Sequence, residues 1–307
     1  AKISYGICDD LLSTLMAASL KPKLICPAMN VNMWNNLPNI ENLNRLLSRG
    51  LHVLEPESGD LACGYQGLGR LPETPQIINK IHEILHNKSL KNIKLLITSG
   101  PTREAIDPVR FISNPSSGKM GLALAHEAHL RGAQVTLIVG PTDLSYPKNI
   151  ETIFVESAIE MHEKVQEKIE ASDVFIASAA VSDFRPAQVL KHKEKKIDAD
   201  LEMKLEKNPD ILAEVGKSRK SHQVLVGFAA ETQFLETEAT RKLNDKNLDM
   251  ICANNVANKK IGFGSDMNEM SFYFKEEAPI KLPLLQKSEI ACLILDQVER
   301  FIQQKKN

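Results

Sequence analysis

The chain has 307 residues, of which 43% are hydrophobic and 25% charged, with a formal net charge of −1 at pH 7. That length holds two ordinary domains, the composition excludes a disordered chain, and the balanced charge offers no basic field for nucleic acid or an anionic membrane. No apolar run approaches the roughly 20 residues that span a bilayer. The five cysteines, Cys8, Cys26, Cys63, Cys252 and Cys292, are scattered without a CxxC pair. Neither a disulfide framework nor a zinc site is therefore expected, and a reducing cytoplasm is the plain reading. The sequence opens at Ala1, without Met or a signal peptide, inside a stretch that already looks patterned, so a fragment or a processed chain is expected.

Taken in order, residues 9–19 read as a helix with Asp9 and Asp10 at its start, where carboxylates suit the dipole. KLICP at 23–27 reads as a short buried strand ended by Pro27, and 28–34 as a polar loop. Residues 38–49 form a helix between Pro38 and Gly50, and 51–54 a strand. Residues 55–70 carry four glycines and read as a long loop of the kind that serves as a lid or binding loop. A helix over 73–86 leads to the polar joint HNKSLKN at 86–92, which places the domain boundary so that the domains are 1–88 and 89–307.

The second domain opens on a strand, Leu95–Ile97, stopped by TSGP at 98–101. A long polar loop with Arg103, Asp107, Arg110 and Asn114 follows, then SSGKMG at 116–121 and the apolar start of a helix. A strand, a small-residue turn and a helix N-terminus are the parts of an anion site, because free N–H groups and the helix dipole both attract negative charge. Strands are expected at 134–140, 173–180, 224–232 and 250–256, with helices at 157–170 and 236–247. A half-exposed strand is expected at 201–205, and a helix after 207 with Asn208 as N-cap and Pro209 at its first position. A hairpin from 270–275 and 280–285 precedes a C-terminal helix from about Ser288. Continuous apolar strands alternating with helices predict an α/β fold with a parallel sheet covered on both faces. Ligands then bind at the carboxyl ends of the strands, where Ser99-Gly100, Ala179-Ala180, Phe228-Ala229 and Ala253-Asn254 lie.

These motifs carry a family resemblance. GPTREAIDPVRFISNPSSGKMG, AAVSDFRP, KNPDI, GFAAET and KLNDKNLD make residues 91–307 resemble the phosphopantothenate–cysteine ligase half of the bifunctional coenzyme A biosynthesis flavoproteins. Residues 1–86 resemble the later part of the decarboxylase half: Pro27 to Trp34 fits its PxMNxxMW pattern and the segment around Cys63 its ACG flap. The implied fold is a Rossmann-like ligase domain preceded by a partial flavodoxin/Rossmann-like domain. The implied reaction activates the carboxylate of 4'-phosphopantothenate with CTP and Mg2+ as an acyl-cytidylate, which the cysteine amine then converts to the amide.

The resemblance also implies roles. Asn114 holds the acyl carbonyl as a neutral donor and acceptor, and Arg110 pairs with the substrate phosphate or carboxylate. Asp183 is the magnesium-side ligand, and Lys193 is the flap lysine aimed at the phosphates. Ala177, Ser178, Ala179, Asp183, Asn208, Pro209, Asp210, Ile211, Phe228, Lys242 and Lys246 match nucleotide-binding positions. Asn255 stands where Asp is expected and receives no role. On the decarboxylase side FMN is the implied cofactor, Cys63 the proton donor and Asn30 the reader of the substrate carboxylate; Asp9 and Asp10 lie in a segment resembling one near the flavin. The family's first strand, early flavin contacts and catalytic histidine precede everything present here, and Tyr65 replaces an expected Asp. Little decarboxylation and weak FMN binding are therefore expected of the 307 residues alone, with an intact bifunctional enzyme expected of a longer chain. A homo-oligomer with a dimeric ligase domain is expected, without nucleic acid or membrane as partner. Competing readings are an oxidoreductase using nicotinamide or flavin on the same scaffold, disfavoured by the lack of a GxGxxG, and a first domain that serves only as an assembly platform.

Overall fold

A computed structural model describes residues 1–61, 64–192, 203–231, 235–255 and 264–306. The chain divides into two compact units, Ala1–Asn87 and Lys88–Asn307. Among the described residues no helix is long and apolar enough to cross a membrane.

The smaller unit has helices Leu11–Ala18, Leu37–Ser48 and Thr74–Leu85 and a parallel pair of short strands, Leu24–Ile25 with His52–Val53. It differs from expectation in two places. The polar stretch 28–34 contains a short helix, Val31–Trp34, whose N-cap Asn30 accepts the Asn32 N–H at 2.8 Å. The glycine-rich loop is an antiparallel hairpin, Glu57–Asp60 with Gln66–Arg70. Its glycines let it lie against the short helix: a Cβ at Gly69 would fall 2.1 Å from the Met29 carbonyl oxygen, and one at Gly67 2.8 Å from Val31 Cγ2. A hairpin packed through glycines has no apolar alternation to betray it.

The larger unit is built on an eight-stranded sheet. Its strands are β1 (Lys94–Ser99), β2 (Gln134–Val139), β3 (Glu151–Phe154), β4 (Val174–Ala177), β5 (Val224–Glu231), β6 (Met250–Asn255), β7 (Ser271–Phe274) and β8 (Ile280–Lys281). The spatial order is β8-β7-β6-β5-β4-β1-β2-β3. β1 to β6 pair in parallel, while β7 pairs antiparallel with β6, and β8 with β7. The first six strands thus follow the 3-2-1-4-5-6 order of a Rossmann fold, whose winding reverses between β1 and β4. β3 escaped the sequence reading because it is an edge strand of four residues, with Phe154 pointing out 69% exposed.

Alternate residues of each central strand face opposite cores. Leu95, Ile97, Val174, Ile176, Val224, Val226, Met250 and Cys252 pack with helices α1 (Lys119–Leu130) and α5 (Lys287–Lys306). Leu96, Phe175, Leu225 and Ile251 pack with α2 (Ala158–Ile169), α3 (Ile211–Ser218) and α4 (Leu235–Asp245). Burial on both faces is why these strands read as unbroken apolar runs.

Three local expectations change. The polar stretch after β1 contains an antiparallel hairpin, Arg103–Ala105 with Phe111–Ser113. It is anchored by buried Glu104, which accepts the Ala158 N–H at 3.0 Å, and by Arg103 over the Phe111 ring. The N-cap of α3 is Asp210, not Asn208: its carboxylate accepts the Ala213 N–H at 3.0 Å and the helix begins at Ile211. Of the half-exposed strand expected at 201–205, residues 201 and 202 lie outside the described residues; Leu205–Lys207 pairs antiparallel with Phe184–Pro186.

Candidate functional site

At the carboxyl ends of the strands, where the winding reverses, lies a cleft of about 780 Å³. One wall is the N-terminus of α1. Gly118 caps it in the left-handed region (φ 72°), with no side chain taking the first N–H groups. Those of Lys119, Met120 and Gly121 have no partner within the helix, and all three residues line the cleft. Ser99 at the end of β1 donates to the Gly118 carbonyl at 3.0 Å, and Ser178 beyond β4 donates to the Thr98 carbonyl at 2.8 Å. Gly121 sits so close to these serines that a Cβ would lie 2.3 Å from Ser99 Oγ. The wall is therefore an anion-binding turn pressed onto two strand ends.

Twelve of the residues expected from the sequence line this one cleft: Asn114, Ala177, Ser178, Ala179, Asp183, Asn208, Pro209, Asp210, Ile211, Phe228, Lys242 and Lys246. Asn114 is held by its amide nitrogen, which donates to the Val181 carbonyl at 3.0 Å and the Ala180 carbonyl at 3.5 Å. Its donor thus faces backbone, and the oxygen is the atom left for a ligand. Asn208 donates to the Ser182 carbonyl at 2.8 Å and accepts from Arg185 at 3.0 Å, so it ties the 182–185 turn to the start of α3. That turn leaves Asp183 exposed at the cleft, and its carboxylate has no hydrogen bond or ion pair among the described residues. No group of three His, Cys, Asp or Glu residues able to hold a metal occurs among the described residues; a single carboxylate beside phosphate oxygens is the arrangement that suits magnesium.

Asp210 caps α3 and also pairs with Lys246 at 2.7 Å. Burial pushes its carboxyl up, but the Lys246 and Ala213 hydrogen bonds, with the fields of Lys246 and Lys242, hold it below the ordinary range. Lys246 is placed by Gly216, where a Cβ would stand 1.9 Å from the Lys246 carbonyl oxygen, so α3 and the end of α4 lie in backbone contact.

Arg110 is not part of the cleft. Its fork closes on the buried Asp107 carboxylate, with Nε at 2.7 Å, because Asp107 also takes the Val109 and Arg110 N–H groups and folds the hairpin tip back on itself. Lys193 and Cys63 lie outside the described residues. Asn30, in the smaller unit, spends its oxygen on capping its own short helix. Asp9 and Asp10 pair with Lys2 at 2.7 and 2.8 Å.

The sequence reading missed Lys119, Lys207, Lys287 and Asn268, which line the cleft together with Asn254 of the expected strand ends. Lys119 lies inside SSGKMG and was within reach of the helix-terminus argument. Lys287 was not, since only the turn of the chain after β8 brings it here. Five lysines against two aspartates, Asp183 and Asp210, make the cleft a site for a polyanion.

Residues 1–86 match the family model described as flavoprotein, and residues 90–302 that of the DNA/pantothenate metabolism flavoprotein C-terminal domain. The chain is 44% identical to the coenzyme A biosynthesis bifunctional protein CoaBC of Bacillus subtilis, over 99% of this chain and 75% of that protein. It is 40% identical to that of Escherichia coli K12, over 97% and 74%. Among solved structures, the C-terminal domain of a coenzyme A biosynthesis bifunctional protein CoaBC has a TM-score of 0.61 at 42% identity, covering 71% of this chain and all of that one. The DNA/pantothenate metabolism flavoprotein of Streptococcus pneumoniae has a TM-score of 0.58 at 25% identity, covering 68% and 99%. With a flavoprotein domain and a pantothenate-metabolism domain in the same order and relatives matched over three quarters of their length, the chain belongs to the family of coenzyme A biosynthesis bifunctional proteins.

Proposed function

We propose that the larger unit joins 4'-phosphopantothenate to cysteine at the expense of CTP, within coenzyme A biosynthesis. The observation that carries this reading is the convergence of twelve expected ligase-site residues on one lysine-rich cleft at the winding reversal of the sheet. In the first step a carboxylate oxygen of the acid attacks the α-phosphorus of CTP; the bond from that phosphorus to the bridging oxygen breaks, and pyrophosphate departs with the electron pair. In the second step the cysteine amine attacks the acyl carbon, the C–O bond to CMP breaks, and the amine gives up a proton.

The α1 N-terminus and the lysines meet the phosphates. Asp183 would hold Mg2+, which supplies charge neutralisation between phosphate oxygens. Asn114 presents its amide oxygen to the reacting acyl group or to the incoming amine, an N–H donor. That differs from a donor's role toward the acyl carbonyl, since the amide nitrogen is committed to Val181. Lys193 keeps the role of a phosphate-directed flap cation in this reading. Arg110, folded onto Asp107 and absent from the cleft lining, is given no step in this reading.

The flavoprotein domain would carry FMN-dependent decarboxylation of the amide product, with Cys63 as proton donor and Asn30 at the substrate carboxylate. Asp9 and Asp10 are turned to Lys2, so neither is assigned to the flavin here and no step is routed through it.

The test is pyrophosphate release from CTP with 4'-phosphopantothenate and magnesium, with and without cysteine, for this chain and for Asn114→Ala. Acid-dependent release and cysteine-dependent amide are expected of the chain, and at least tenfold less amide of the variant, the loss of one hydrogen bond to a reacting group. No release with any nucleotide sinks the ligase assignment.

A further inference from the structure

The cleft contains a cationic pole to which the family resemblance gives no role. Lys119 and Lys287 are the first residues of α1 and α5, and both line the cleft. Lys119 Nζ donates to Asp266 Oδ1 at 2.7 Å and to the Gly264 carbonyl at 3.0 Å. Lys287 Nζ donates to the Ser265 carbonyl at 2.6 Å, and its backbone N–H to the Asp266 carbonyl at 3.0 Å. Two ammonium groups therefore share a three-residue segment with a single carboxylate, and that carboxylate is 82% exposed. Burial, then the charge of Lys119, pushes the Lys287 ammonium below its ordinary value, and Asp266 opposes this only in part. Two ammonium groups thus stand beside the N-terminal N–H groups of α1, with the exposed Asp266 as the carboxylate of the segment they share.

We propose that Lys119 and Lys287 bind the β- and γ-phosphates of the nucleotide and hold the pyrophosphate as it leaves, with Asp266 as the internal counter-ion that the polyphosphate displaces from Lys119. This rests on the ligase reading. When the bond from the α-phosphorus to the bridging oxygen breaks, the electron pair stays on the β-phosphate and the leaving group gains one negative charge. A cation at that place is worth more in the transition state than in the bound substrate. Asp266 keeps Lys119 extended toward the cleft while no anion is bound, and its exposure lets it swing into water when one arrives.

The experiment measures binding of inorganic pyrophosphate to the full chain by calorimetry, together with CTP-dependent pyrophosphate release, for the unaltered protein, Lys287→Met, Lys287→Arg and Asp266→Asn. Lys287→Met is expected to weaken pyrophosphate binding about tenfold or more, the loss of one charge-assisted hydrogen bond, and to lower kcat as well as raise KM for CTP. Lys287→Arg is expected to recover most of both, which a variant that merely misfolds would not allow. Asp266→Asn is expected to tighten pyrophosphate binding severalfold. Pyrophosphate binding by Lys287→Met within twofold of the unaltered protein overturns the proposal, as does weakening by Asp266→Asn to the same degree as Lys287→Met. An unaltered protein that binds pyrophosphate through Lys287 yet releases none from any nucleotide overturns the ligase reading instead.

Discussion

Gly121→Ala tests whether the seating of α1 on the strand ends sets the activity. An added Cβ would stand 2.3 Å from Ser99 Oγ, 2.4 Å from Ser99 Cβ and 2.8 Å from Ser178 Oγ. Carbon atoms are comfortable at about 3.5–4.0 Å, and Ser99 Cβ is fixed to a fully buried strand end, so α1 must recede by about 1 Å. Overpacking of this kind costs about 1–3 kcal/mol, and the better helix propensity of Ala returns up to about 1 kcal/mol. The net loss of about 0–2 kcal/mol corresponds to a fall in Tm of at most roughly 8 °C for a unit of this size. The effect on catalysis is larger, because a displacement of about 1 Å in a positioning group costs about 100-fold. The assay is kcat/KM for pyrophosphate release alongside a melting curve. The double variant Gly121→Ala with Ser99→Gly removes the two worst contacts and is expected to regain most of the activity, although it gives up the Ser99 hydrogen bond to Gly118. Unaltered kcat/KM in the single variant, or no recovery in the double, refutes the reasoning.

Two further outcomes concern stability. Asp210 is held below its ordinary 3.8, so its folded-state value lies below the unfolded one: its contribution is complete above about pH 4 and is lost as pH falls through the depressed value. Melting curves of the chain and of Asp210→Asn between about pH 6 and pH 3 are expected to converge on the acid side; a gap that stays constant removes Asp210 as the titrating group. Phe175 is fully buried on β4, in register with Leu96 and Leu225. Phe175→Ala is expected to lower unfolding stability by about 3–5 kcal/mol, read as a lower denaturant midpoint with an unchanged slope.

How much of this was legible depended on whether a feature was local. The central strands were, because burial on both faces leaves runs such as Leu95-Leu96-Ile97 and Val224-Leu225-Val226 with no polar interruption. The N-terminus of α1 was legible from SSGKMG, where Gly118 takes the left-handed φ of 72° that caps the helix and Gly121 permits the close approach to Ser99. Elements held by single contacts were not. The hairpin 103–113 depends on Glu104 reaching the start of α2, far away in sequence. The hairpin 57–70 depends on glycines that permit contact without leaving a pattern. Asn208 looked like an N-cap because it precedes Pro209, yet Asp210 has both the Ala213 N–H and the Lys246 ammonium to satisfy it and wins the position. Arg110 looked free for a substrate because the bond to Asp107, three residues earlier, is invisible until the hairpin tip folds.

The placing of Lys287 shows what sequence order cannot convey. β6 runs toward the ligand edge, and β7 returns antiparallel beside it, with Ala253 opposite Ser271 and Met250 opposite Phe274. A helix begun directly after β7 would start at the far edge of the sheet, with its N-terminus away from the cleft. The short β8 reverses the chain once more, with Ser271 opposite Lys281, and a second pairing, Met267–Asn268 with Leu285–Gln286, carries the chain back to the ligand edge. Only then does α5 begin, at Lys287. Four residue pairs therefore decide that α5, like α1, presents its N-terminus and first lysine to the cleft. The two helices pack together on one face of the sheet, as Leu124 and Ala128 of α1 share a core with Ile290 and Ile294 of α5. Their paired N-termini add a field favourable to anions, on the side of the cleft where Asp266 pairs with Lys119 and where Glu289, in the first turn of α5, accepts the Gln286 N–H. The antiparallel end of the sheet, which looks like an appendage to a parallel nucleotide-binding fold, is thus what completes the polyphosphate end of the site.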